Sequence, residues 1–92
     1  MLGHARLYQR AKARDESLDI LRAAARRRLI AHLGLPPAAT NADIAEAAGY
    51  EADDVEEILA GFHPENDAEL VSAATAVQNL VREITGFEGD QP

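Results

Sequence analysis

Cysteine and tryptophan are absent from this chain, and aromatic residues make up only 4% of it. Without thiols there are no disulfides and no thiolate metal sites. With so few aromatics, a core has to be assembled from Leu, Ile, Val and Ala, which favours closely packed helices over a sheet. No run approaches the roughly 18 apolar residues of a bilayer-spanning helix, and "MLGHARLYQR" lacks the apolar stretch of a secretory signal. There is no glycine-rich phosphate loop, no HExxH and no DxDxDG calcium loop. His4, His32 and His63 are scattered, and Ser17 and Ser72 have no evident base. The carboxylates of "EADDVEE" fall on a short helix, without the burial that acid–base work needs. The residue pattern points away from an enzyme and from a bound cofactor or metal.

What the 92 residues do contain is charge, unevenly placed. Eight of the nine basic residues lie in the first 33 positions against Asp15, Glu16 and Asp19, a local balance of +5. Thirteen acids and Arg82 follow, a balance of −12, leaving the chain at −7. Such polarity means either that the two halves match each other or that a basic end faces something anionic.

Punctuation divides the chain into helices. Gly34 with Pro36-Pro37, Gly49, Gly61 with Pro64, and Gly86 each follow a helix-like pattern, as C-terminal caps do. Thr40 or Asn41 opens "ADIAEAA"; Asp53 stands three before Glu56 and Asn66 three before Glu69, the spacing of a capping box. The first helical stretch runs from about His4 to Leu33, with Leu18, Leu21, Ala25, Leu29 and Leu33 as its apolar stripe. Asp15 or Ser17 offers a fresh N-cap, so a break near 14–17 is one way to read it. Residues 1–14 read as a basic lead-in, 15–87 as the helical domain and 88–92 as a frayed tail. The last helix, about Asp67 to Thr85, carries Leu70, Ala74, Val77, Val81 and Ile84 on one face, widened by Val71, Ala73 and Leu80.

The middle segment, "TNADIAEAAGYEADDVEEILAG", resembles the helix-turn-helix of LacI-type repressors. Ile44, Ala48, Tyr50, Val55 and Ile58 occupy its apolar positions, Ala45 the helix crossing and Gly49 the turn. The chemistry disagrees with the scaffold. A recognition helix presents Arg, Lys, Gln, Asn, Ser or Thr to bases and phosphates; here the same positions hold Glu51, Asp53, Asp54, Glu56 and Glu57. Five carboxylates oppose a polyanion whose binding depends on phosphate neutralisation. The expectation is a tri-helical scaffold without DNA readout, and its rival is a DNA-binding transcriptional regulator.

"GHARLYQRA", "RRRLIAHLGLPP" and "VEEILAGFHPENDAELVSAATAVQNLVREI" together resemble the C-terminal cytoplasmic region of an actinobacterial membrane protein family of unknown function. Members of that family are typically encoded beside MoxR-type AAA ATPases and proteins with von Willebrand factor A-like domains. The resemblance is carried by Gly3-His4-Ala5-Arg6-Leu7-Tyr8, by the stretch from Arg26 to Pro36 and by the link from Gly61 to Leu70. It implies a membrane span before residue 1, a location at the cytoplasmic face of the membrane, and a partner in the AAA ATPase system. The basic cluster then stands as positive-inside charge beside anionic lipid. The family supplies no catalytic residues.

The chain is expected to fold as an all-α compact bundle of four to five helices containing a helix-turn-helix-like hairpin. The expected core is Leu18, Leu21, Leu29, Leu33, Ile44, Val55, Ile58, Leu59, Phe62, Leu70, Val77, Val81 and Ile84. The candidate interaction surface joins the basic first helix to the acidic hairpin through Tyr8, Arg10, Arg22, Arg26, Arg28, Asp54 and Glu57. Arg27 reads as a solvated charge.

Overall fold

Between Leu2 and Leu33 the sequence has no proline and is rich in Ala, Arg and Leu, the residues that lose least on entering a helix. The computed structural model, which describes residues 2–86 and side chains from Tyr8 onward, makes this one unbroken helix, α1, Leu2–Leu33. The break expected near 14–17 does not occur. Lys12 and Glu16 form an ion pair at 3.5 Å across that stretch, and Leu18 is buried on the face that continues into Ala25 and Leu29. Neither Asp15 nor Ser17 therefore begins a new helix, and the basic lead-in is, from Leu2 on, the first part of α1. The expected tail 88–92, together with Phe87, lies outside the described residues.

Three further elements follow: α2, Asn41–Ala48; α3, Ala52–Glu56, which runs on as a π-helical turn over Glu57–Gly61; and α4, Asp67–Thr85. The fold is all-α, with no strand among the described residues. Thr40 caps α2 with a reciprocal box: its hydroxyl accepts from the Asp43 N–H at 3.1 Å, and the Asp43 carboxylate accepts from the Thr40 N–H at 3.0 Å. At α4 the Asn66 side chain accepts from the Glu69 N–H at 2.8 Å, but Glu69 reaches the N–H of Glu65 instead of that of the cap. The box expected at Asp53 does not form. Here α3 starts after Glu51, so Asp53 already lies in the first turn and makes no cap hydrogen bond.

The two long helices run in the same direction. Arg14 of α1 meets Asp67 and the Glu65 carbonyl at the start of α4, whereas Leu21, Ala25 and Arg28 share a groove with Val77, Val81 and Arg82 further along it. The α2–α3 hairpin returns the chain between them and packs on the second half of α1. Ala25, Leu29, Ile44, Ala45, Val55, Leu59, Val77, Leu80 and Val81 form one buried cluster. Leu21, Leu33, Ile58 and Ile84, expected inside, pack at its edge, and Leu70 and Phe62 are only half-buried. Val71 is 64% exposed, against its expected place on the apolar face of α4; the core side of α4 is defined by Ala73, Val77, Leu80 and Val81.

A helix of 32 residues is about 48 Å long, close to the 50 Å long dimension of the molecule. Because α4 begins opposite Arg14, the part of α1 before it projects beyond the body by about 18 Å. Residues 8–13 are all exposed there.

Candidate interaction surface

The hairpin is built around small residues. Ala45 is 1% exposed where α2 meets α3, and Gly49 takes φ +80°, donating its N–H back toward Ala45 and Glu46. That left-handed turn is open to glycine and strained for other residues. Glu51, Asp53, Asp54, Glu56 and Glu57 are exposed around α3 and its π-turn. The carboxylates of Asp53 and Asp54 stand in the first turn, where the helix dipole favours negative charge. Glu56 accepts from the Asn41 side-chain amide at 3.1 Å, tying α3 to the start of α2.

Gly61, expected to follow its helix as a C-terminal cap, is instead the last residue of the π-helical turn, and Phe62 is the cap. The φ of Gly61 is not positive; the helix widens, and the Phe62 N–H reaches the Glu57 carbonyl at 3.1 Å. The widened turn presents carbonyls sideways, and Arg22 meets them. Its Nε donates to Ile58 O and its Nη2 to Phe62 O, both at 2.9 Å.

Arg22 therefore leaves the predicted surface: it is 6% exposed. Burial lowers its pKa from the ordinary arginine value, while the charges of Asp19 and Glu57 oppose that shift. The spacing contained the signal. Arg22 lies four positions after Leu18 and three before Ala25, squarely on the buried stripe. Arg26 is half-buried and also turned inward, donating to Asn41 Oδ1 at 2.6 Å and to the Ala39 carbonyl at 2.7 Å, so that it pins the α1–α2 link.

The other predicted residues remain accessible but do not form one patch. Tyr8, 69% exposed, and Arg10 sit on the projecting part of α1. Asp54 and Glu57 border a shallow cavity of about 380 Å³ together with Tyr50, Ile58 and Glu83. Arg28 lines the separate groove between α1 and α4.

Two side chains outside the predicted interaction surface also position it. Arg14 clasps the start of α4, 3.4 Å from Asp67 and 3.2 Å from the Glu65 carbonyl. Tyr50 donates its hydroxyl to Glu83 at 2.8 Å, joining the hairpin turn to α4. That hydrogen bond, assisted by burial and by the Glu83 charge, raises the Tyr50 pKa above the usual phenol value.

Comparison with protein-family models, with curated proteins and with solved structures finds no match. Among the described residues, no three His, Asp or Glu side chains converge as metal ligands, and no helix is long and apolar enough to cross a membrane.

Proposed function

We propose that this chain is a non-enzymatic protein-interaction domain, serving as the cytosolic tail of a membrane protein of unknown function. The observation that supports this best is the separation of charge over the fold. The first part of α1 projects past the body with Tyr8, Arg10 and Lys12 exposed, and the hairpin presents five exposed carboxylates. A basic projection of this kind suits the anionic inner leaflet just after a membrane span. The acidic hairpin, held out on the body, suits a protein partner. The family resemblance makes a MoxR-type AAA ATPase system that partner.

A second reading has one observation in its favour: Gly49 in a left-handed turn and the buried Ala45 stand where a helix-turn-helix needs a turn glycine and a small residue. Against it stand Glu51, Asp53, Asp54, Glu56 and Glu57, exposed where a DNA-reading helix would meet phosphates.

Fractionation of the native gene product tests the proposal. Recovery in the membrane pellet, at a mass well above 9.9 kDa, supports a tethered tail; a free species of that small mass overturns it. Titration with duplex DNA at low salt separates the rival. No binding is expected, and binding with a steep salt slope would favour the DNA-binding reading.

A further inference from the structure

Arg22 is buried, at 6% exposure, without a carboxylate beside it. Its Nε and Nη2 are committed to the Ile58 and Phe62 carbonyls. The ion pairs among the described residues, Lys12–Glu16 and Arg14–Asp67, do not include it. Asp19 and Glu57 act on its charge from a distance without pairing with it. A buried cation ordinarily has a paired anion. The third nitrogen, Nη1, donates to nothing among the described residues. Nor is it sealed in, since the enclosed side-chain nitrogen without a partner among those residues is Arg14 Nε.

Arg22 lines a cavity of about 230 Å³ between the π-helical turn and α4. Ile58, Phe62, Ala73 and Ala76 give it apolar walls. Ser72 adds a hydroxyl that makes no hydrogen bond among the described residues. Two donors against apolar walls select the kind of anion. Phosphate or sulfate would leave most of its oxygens facing carbon, whereas a carboxylate has two acceptor oxygens. The volume is that of roughly eight waters, which suits an acid of about five carbons. Glu57 lines the same cavity. Its carboxylate, set over Gly61 at the end of an exposed side chain, is the like charge that such a ligand pushes aside.

We propose that this cavity binds a small apolar monocarboxylate. Its oxygens accept hydrogen bonds from Arg22 Nη1 and the Ser72 hydroxyl, and its hydrocarbon end covers Phe62, Ala73 and Ala76. The site is independent of the membrane tether and of the partner of the acidic hairpin.

Pentanoate is the probe, titrated into the whole chain at neutral pH and followed by amide NMR. Saturable shifts are expected in 58–62 and 72–76, with pentan-1-ol, the uncharged analogue, several-fold weaker. Ala76→Leu fills the cavity from a half-buried position and should abolish the response. Glu57→Gln removes the like charge from an exposed position and should tighten binding several-fold. Both variants keep Arg22 and its carbonyl bonds, and their amide spectra away from the cavity report folding. No saturable shift with pentanoate, an equal response to the alcohol, or weaker binding by Glu57→Gln overturns the proposal. Tighter binding of a short peptide ending in leucine, lost when its C-terminus is amidated, would make a protein terminus the ligand and overturn a free acid.

Discussion

Arg22 and Phe62, forty positions apart in the chain, are joined by a 2.9 Å hydrogen bond from the buried guanidinium to the Phe62 carbonyl. A second bond of the same length to Ile58 O makes Arg22 the donor for both sides of the π-helical turn. Without it, two carbonyls on a widened turn lose a charge-assisted partner. Arg22→Met, which keeps much of the aliphatic packing, is expected to cost about 2–3 kcal/mol. The loss would appear as a lower urea midpoint at unchanged slope. Arg22→Lys should lose part of this, since an ammonium lacks the planar fork that spans two acceptors. A neutral Met variant would show that the turn holds itself.

Gly49 and Gly61 both follow helical stretches, yet their substitutions should have opposite signs. At Gly49 a Cβ meets nothing within 4 Å, so the cost of Gly49→Ala is backbone strain at φ +80° alone, about 1–2 kcal/mol. At Gly61 the φ is not positive, and the close neighbour of a Cβ is the Glu57 carboxylate oxygen at 2.8 Å, the far end of a flexible side chain. That carboxylate can swing away. Gly61→Ala is expected to stabilise by about 0.5 kcal/mol through reduced freedom of the unfolded chain. Thermal melts of the two variants decide between opposite and equal signs.

The Tyr50–Glu83 bond sets an alkaline limit. Its phenol pKa is raised in the folded state, first by the hydrogen bond to Glu83, then by burial and the Glu83 charge. The unfolded value is about 10. The linked stability is therefore complete below that pH and is lost as pH rises through the folded pKa. Glu83→Gln should bring the Tyr50 pKa down toward the ordinary value and weaken this alkaline dependence. Following the Tyr50 ring carbon by NMR in both proteins checks the sign; an unchanged midpoint would refute it.

Along α1, protection from amide exchange should step rather than fade. Residues 8–13 are exposed and lie before the first tertiary clasp, at Arg14, whereas Leu18, Ala25 and Leu29 are buried. Fast exchange is expected through Ala13 and slow exchange from Leu18 to Leu29. Arg14→Ala should move the step toward Leu18. Its global cost should stay below about 1 kcal/mol, because the Asp67 side chain is 91% exposed. Uniform protection from Tyr8 onward would mean that the projecting part is covered.

The helical class, the bounds of α4 and the turn at Gly49 were legible in the residues because each is decided within a turn or two of chain. Thr40 as one of two candidate starts, the Asn66 cap and the apolar spacing of Leu18, Ala25 and Leu29 need only neighbours three or four positions away. The candidate surface was legible only in part. Tyr8, Arg10, Arg28, Asp54 and Glu57 lie outside, whereas Arg22 has its partners 36 and 40 positions distant. Its place on the buried stripe was readable, but the carbonyls that make burial of its charge tolerable exist only once the π-helical turn has packed against α1. Tertiary structure likewise decided the shared direction of α1 and α4, the exposure of Val71 and the meeting of Arg28 with Arg82 across one groove. Local sequence determines where a helix begins and ends. Which of its charges face water is set by what the returning chain brings against it.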